Sequence, residues 1–281
     1  MIRLLAIDID GTLLDSKGQL PDAHHEALID AAGRGTRVAL VTGRSFHFTR
    51  PIVERLHLPV TVIVNNGAVV KEPDGRSVMR HVLPRDAALA VLSCTRAFED
   101  SVAIVFDRAD VDDERQIVYE RMDWTHPHRR GYYEKNRAFI AAAPASLADA
   151  LAEEDPIQVM FNGAVEPMRA LVRDLRSQPI ASEYSVAITE YELRDFSLVD
   201  VNAAGCSKGT TLARWATDEG YERSEVMAVG DNLNDLEMLE FAGIAVVMGN
   251  ASDAVKRAKP YHITGTNDEG GLADAIRRFA L

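Results

Sequence analysis

The sequence predicts an α/β protein: a doubly wound, Rossmann-like parallel-sheet core with an α+β domain inserted into it. Three observations predict it. Continuous apolar runs suited to buried parallel strands recur at 4–7, 37–41, 60–64, 225–229 and 244–248, with helical patterns between them. Several of these runs end in polar turns built from Asp, Thr, Asn and Gly. Between the third and fourth runs the pattern shifts to strands of alternating faces, which suits an antiparallel sheet.

The first run, LLAIDIDGTLL, meets two acids, Asp8 and Asp10, before a turn at Gly11-Thr12. Read as strand residues two apart, both acids project from one face with alpha carbons ~6.6 Å apart. At an effective dielectric near 20 two such charges repel by roughly 2.5 kcal/mol. The pair is therefore read as a divalent-cation site at the carboxyl end of the first strand, where open α/β sheets bind ligands.

A helix is expected over 20–34, with Asp22 as N-cap. The second strand, 37–41, ends in Thr42-Gly43-Arg44-Ser45. A helix follows it, placing Phe48, Ile52, Val53 and Leu56 on one face. Thr42 thus sits at a strand-to-helix turn suited to a phosphate, although the same tripeptide also suits an ordinary capped helix start. The third strand, 60–64, ends in Asn65-Asn66-Gly67-Ala68, where Asn-Gly also reads as a tight turn.

The core is assigned to 1–83 and 203–281, and the inserted α+β domain to 84–202. Within the insert, helices are expected at 86–98 and 165–177, and strands at 101–107, 157–161, 184–189 and 196–201. A polar, acidic stretch occupies 110–114, and 124–137 reads as an irregular loop rich in His, Arg and Tyr. That loop has two readings: an exposed segment that aids solubility, or one that meets a second anionic group or planar ring on a substrate. The core pattern resumes at Ser207, an N-cap for a helix opening at Lys208. The strand at 225–229 ends in Gly230-Asp231-Asn232-Leu233-Asn234-Asp235, and a helix, the strand 244–248, a short strand at 261–263 and a closing helix complete the chain.

Composition narrows the function classes. The chain is 47% hydrophobic and 26% charged, ordinary for a globular protein. No apolar run approaches the ~20 residues of a membrane span, and the first residues do not resemble a cleavable signal. Cys94 and Cys206 offer neither a disulfide framework nor a paired zinc motif, and two reduced thiols suit a cytoplasmic protein. A net charge of −12 argues against non-specific nucleic-acid binding. An anionic substrate then needs local positive groups or a metal.

The polar groups expected at strand ends are Asp8, Asp10, Thr42, Asp231, Asn234 and Asp235, with Lys208 at a nearby helix start. Several carboxylates converging without a cation would be very costly. Oxygen ligands with no His or Cys suit magnesium. Lys208 suits a phosphoryl oxygen. One carboxylate can attack phosphorus, and a second can protonate the leaving oxygen and then activate water.

Asp8-Ile9-Asp10-Gly11-Thr12, Thr42-Gly43-Arg44, Lys208 and 230–235, taken in order, resemble the four motifs of the haloacid dehalogenase superfamily. More narrowly, with Asn66-Gly67-Ala68, the chain resembles its Cof-type sugar-phosphatase-like phosphatases with a type-2 cap, over nearly its whole length. The resemblance implies Asp8 as nucleophile and Mg2+ ligand, and Asp10 as general acid/base that binds the metal through its carbonyl. It implies Asp231 as the remaining protein ligand. Ile9, Thr42, Gly43, Arg44, Lys208 and Asn234 would hold the phosphoryl group, and Asp235 would support Lys208 or a metal-bound water. The insert would be the cap that selects a small phosphorylated metabolite. The match loosens at 202–206. A phosphomutase or phosphotransferase would use the same residues, and a non-catalytic phospho-ligand module would need the metal site and Lys208 but not Asp10.

Overall fold

The computed structural model describes residues 1–108 and 115–281, so the acidic stretch at 110–114 lies outside the described residues. The chain separates into two compact units, Met1–Arg80 with Ser207–Leu281, and His81–Cys206. Strands of the first unit are β1 (Leu4–Ile7), β2 (Arg37–Val41), β3 (Val60–Val64), β4 (Val69–Lys71) and β5 (Ser77–Arg80). Those of the second are β6 (Val102–Val105), β7 (Ile117–Tyr119), β8 (Ile140–Ala142), β9 (Gln158–Gly163), β10 (Tyr184–Tyr191) and β11 (Phe196–Ala203). The first unit resumes with β12 (Val226–Gly230), β13 (Ile244–Val247) and β14 (His262–Ile263).

The first unit builds a sheet in the order β14-β13-β12-β1-β2-β3-β4-β5. Neighbours from β14 to β3 pair in parallel, and β4 and β5 add an antiparallel hairpin. The fold class is the one the apolar runs predict. The order sets β12 and β2 on either side of β1, so the turns leaving these three strands emerge side by side. Helices α1 (Asp22–Gly33) and α2 (Phe46–Leu56) connect the first strands. Asp22 opens α1 rather than capping it; Pro21 holds the cap position with no side-chain bond. Leu4, Ala6, Ala39, Val41 and Ile63 from the strands pack with Leu212 and Trp215 in one core cluster. Their burial explains why the runs are continuously apolar.

The β4–β5 hairpin was not expected. Three residues of β4 are too few to show a period, yet Pro73-Asp74-Gly75 is a turn signal. Gly75 N–H closes that turn on the Glu72 carbonyl at 2.8 Å.

The second unit builds a sheet in the order β10-β11-β9-β6-β7-β8, with antiparallel pairs throughout except β7–β8. Its helices are α3 (Arg85–Cys94), α4 (Pro127–Asn136), α5 (Leu147–Glu153) and α6 (Val165–Ser177). In α6, Val165, Met168, Leu171, Val172 and Leu175 are buried at helical spacing. They join Phe106, Phe161 and Val199 in the unit's core.

The structure corrects the reading of 124–137. It is largely the helix α4, opened by Pro127 at a first-turn position after an extended His126. Trp124 meets Tyr119 edge-on at 5.0 Å and Tyr133 at 4.7 Å. This packing outweighs the poor helix propensity of Gly131. Arg129 is not available as a substrate reader. Its guanidinium donates to Asn162 Oδ1, to the Asn162 carbonyl at 2.9 Å and to the Asp100 carbonyl at 3.2 Å. Arg130 pairs with Glu134 one turn on, at 2.9 Å.

Candidate active site

The residues leaving β1 form a tightly tied loop. Leu13 N–H returns to the Asp8 carbonyl and Leu14 N–H to the Ile9 carbonyl, at 3.1 and 3.0 Å. The buried His24 donates Nδ1–H to the Leu13 carbonyl at 2.9 Å. Asn250 and Asn267 donate to the carbonyls of Gly11 and Leu14, each at 2.8 Å. The loop is thereby fixed before any ligand binds. Ile9 buries its side chain completely, so only its backbone faces the site.

The strand itself ends at Ile7, so Asp8 and Asp10 are not strand residues sharing a face. They part instead. Asp8 is buried and accepts from Lys208 Nζ at 2.6 Å. Asp10 is half-exposed and accepts from Arg44 Nε and Nη2 at 2.7 and 2.6 Å. Each acid meets a cation, Lys208 for Asp8 and Arg44 for Asp10, which offsets part of the repulsion between the two. Arg44, expected on the phosphoryl group, holds Asp10 in this state.

The acid that joins Asp8 comes from the turn after β12. Asp8, Asp231 and Asp235 bring carboxylate oxygens within 4.8 Å of one another. Lys208, first residue of α7 (Lys208–Asp218), also donates to Asp235 Oδ1 at 2.6 Å. Ser207 caps α7 as expected, accepting from Thr210 N–H at 3.1 Å. Asp235 Oδ2 accepts from the N–H groups of Asp231 and Asn232, both at 2.9 Å. Asp235 is thus fully committed as a brace between Lys208 and the turn. Asp231 Oδ1 accepts from Thr12 at 2.8 Å, a partner not singled out from sequence although it stands in the Gly-Thr turn. Gly11, with φ +80°, passes close against this carboxylate; a Cβ there would collide with Asp231.

Burial, with Asp235 and Asp10 nearby, pushes the Asp8 carboxyl up to about 7 despite the opposing Lys208. Burial also raises Asp231 well above the usual carboxylate range, helped by Asp8 and Asp235. Burial works to lower Lys208, but Asp235 and Asp8 outweigh it and hold the ammonium charged. Three acids therefore share one lysine in a dry site, an excess of negative charge. Asp8 and Asp231 bond Lys208 and Thr12 through Oδ1, and each carries a second carboxylate oxygen beside the bonded one. An all-oxygen donor set of this kind fits a divalent cation.

Thr42 and Asn234 join the site through shared neighbours. Thr42 is buried and its Oγ1 accepts from Arg44 N–H at 3.1 Å. Asn234 donates Nδ2 to Asn66 Oδ1 at 2.9 Å, and Asn66 N–H reaches the Thr42 carbonyl at 3.0 Å. Gly43 lies against the Asn66 amide, where an added Cβ would stand 3.3 Å away.

The profile of haloacid dehalogenase-like hydrolases matches residues 5–276. The chain belongs to that family. Its relatives include the 5-amino-6-(5-phospho-D-ribitylamino)uracil phosphatase YcsE of Bacillus subtilis, 28% identical over 100% of this chain and 96% of that one. The pyridoxal phosphate phosphatase YbhA of Escherichia coli is 29% identical, over 98% and 97%. A haloacid dehalogenase-like hydrolase from B. subtilis superposes with a TM-score of 0.82 at 26% identity, covering 99% of this chain and 100% of its own. Within the haloacid dehalogenase-like hydrolases the chain is a phosphatase, a phosphoric monoester hydrolase. Among the described residues no helix is long and apolar enough to cross a membrane.

Proposed function

We propose that this chain is a cytoplasmic, magnesium-dependent phosphatase that hydrolyses small phosphorylated metabolites through an aspartyl-phosphate on Asp8. The observation that carries the reading is the buried Asp8 carboxylate, fixed on Lys208 at 2.6 Å beside Asp231. A nucleophile needs such a fixed position, and the lysine would also meet the phosphoryl oxygens.

Asp8 attacks phosphorus, forming an O–P bond as the ester P–O bond breaks. Asp10 gives its proton to the leaving oxygen. It then takes a proton from water, whose oxygen attacks phosphorus and releases Asp8 and inorganic phosphate. Before the first step Asp10 must exchange its Arg44 partner for the leaving oxygen. Thr42, Lys208, Asn234 and the N–H groups of Ile9 and Gly43 hold the phosphoryl oxygens. Asp8, Asp231 and the Asp10 carbonyl would hold Mg2+, which supplies charge neutralisation for the attacked phosphoryl group when bound. These groups grip only the phosphoryl end, so choice among esters is assigned to the insert. The substrates in the names of YcsE and YbhA, a ribitylaminouracil phosphate and pyridoxal phosphate, support small phosphorylated metabolites as the class.

Phosphate release from p-nitrophenyl phosphate and a panel of phosphorylated metabolites tests the reading. Turnover is expected with magnesium, none with EDTA, and only weak recovery with calcium, whose looser geometry misplaces Asp8. No release from any ester, or full activity in calcium, overturns the corresponding part.

Asp10→Asn separates the two chemical steps. p-Nitrophenolate leaves without much help from an acid, but water still needs a base. The variant is expected to release a burst of about one p-nitrophenol per enzyme and then stall, while alkyl phosphates give no burst. Rapid-mixing absorbance measures this; equal loss on both ester types with no burst removes Asp10 from the acid/base role.

A further inference from the structure

We infer that Asn66 is a positioning residue that orients Asn234 toward the bound phosphoryl group. The inference rests on the phosphatase reading for the identity of the ligand, but its geometry stands apart from the nucleophile. Asn65 and Asn66 are both buried and both left-handed, with φ 51° and 54°. A non-glycine residue rarely adopts that conformation, and two in succession are held there only by their surroundings. Gly67 follows at φ 101°, packed so closely that a Cβ would collide with the Ser207 carbonyl.

The reason for the strained turn lies in what it joins. Asn65 N–H bonds the Arg44 carbonyl at 2.9 Å, and Asn66 N–H bonds the Thr42 carbonyl at 3.0 Å. The Gly67 carbonyl accepts from Thr211 in α7 at 3.0 Å. Asn66 Oδ1 accepts from Asn234 Nδ2 at 2.9 Å, across 168 positions of sequence. One three-residue turn therefore touches the Thr42 loop, the Lys208 helix and the Asn234 loop. A plain tight turn after β3 needs none of these contacts.

The Asn66–Asn234 bond also decides which end of the Asn234 amide serves the ligand. A carboxamide can rotate to offer either its oxygen or its nitrogen. Asn66 Oδ1 is an acceptor, so it selects the nitrogen and leaves the second Nδ2–H as the donor for a phosphoryl oxygen. Asn234 Oδ1 is meanwhile turned into a buried position with no hydrogen bond. That orphaned acceptor is a cost the bond to Asn66 sustains. Without Asn66 the amide is free to turn its oxygen toward the anion, where it repels.

Asn66→Gly tests this, because glycine accepts the left-handed backbone and keeps the N–H while deleting the amide. Inorganic phosphate affinity, by calorimetry with magnesium, and kcat/KM on p-nitrophenyl phosphate are measured for wild type, Asn66→Gly, Asn234→Ala and the double variant. Asn66→Gly is expected to lose about tenfold in both quantities with an unchanged melting temperature. The double variant is expected to lose no more than Asn234→Ala, since Asn66 acts through that side chain. Multiplying losses, or an unaltered Asn66→Gly, overturn the inference. Phosphate binding that follows the expected cycle in a chain that turns over no ester would remove the phosphatase reading and leave Asn66 in its role.

Discussion

Asp8→Asn is expected to abolish turnover, by about a thousandfold or more, without weakening the fold. The amide keeps the shape of the side chain but is a poor nucleophile toward phosphorus. It also withdraws one anionic ligand atom from the acid cluster, so added magnesium is not expected to rescue the variant. Stability moves the other way. Burial and the neighbouring acids push the Asp8 carboxyl up to about 7, whereas an unfolded chain ionises it near its ordinary value. Between those two pH values the unfolded state gives up a proton that the folded state keeps, which favours unfolding as pH rises. Above the upper value the full cost is present, and a neutral side chain removes it. In EDTA at pH 8, Asp8→Asn is therefore expected to melt at or above wild type, as residues serving chemistry often cost stability. Steady-state kinetics and a thermal melt check the two halves. Activity above one tenth of wild type removes Asp8 as nucleophile, and a clearly lowered melt assigns the lost activity to unfolding.

The fold and the gathering of acids were legible for one physical reason: both are written locally. A strand buried on two faces must be apolar along its whole length, so β1, β2, β3, β12 and β13 stand out as runs. Asp8, Thr42 and Asp231 follow directly after such runs, which places them at one end of a parallel sheet. Lys208 follows a serine that caps a helix, and that cap is present. Elements without a period were not legible. Three residues each in β4, β7 and β8 are too short, and α4 carries aromatic and basic side chains with no apolar stripe. Partnerships across sequence were hidden as well. Nothing near Asp10 says that it meets Arg44, and nothing near Asn66 says that it meets Asn234. The same blindness left Arg129 open as a substrate reader; its guanidinium is instead taken up by the Asn162 side chain and by the carbonyls of Asn162 and Asp100.

Lys208→Met is the second large effect, and it is expected to damage stability and turnover together. Lys208 is 1% exposed and its ammonium touches two carboxylates, each at 2.6 Å. Methionine fills nearly the same volume, so packing is largely retained. What remains is Asp8, Asp231 and Asp235 in a buried cluster with no basic partner. Removing one member of a buried ion pair costs about 3–5 kcal/mol, because the surviving charge stays desolvated. Denaturant titration in EDTA is expected to show a loss of that order. Magnesium should return part of it, since a cation among the acids supplies the missing positive charge. Turnover should not return with it, because the ammonium that fixes Asp8 and meets the phosphoryl oxygens is gone. Adding Asp235→Asn should also recover stability, as it neutralises the acid now left without its cation. That double variant separates two explanations of the first loss. If Asp235→Asn recovers nothing, the destabilisation of Lys208→Met is a packing effect. If Lys208→Met matches wild type in EDTA, the acids are not held together by this lysine, and the account of the site's charge balance fails.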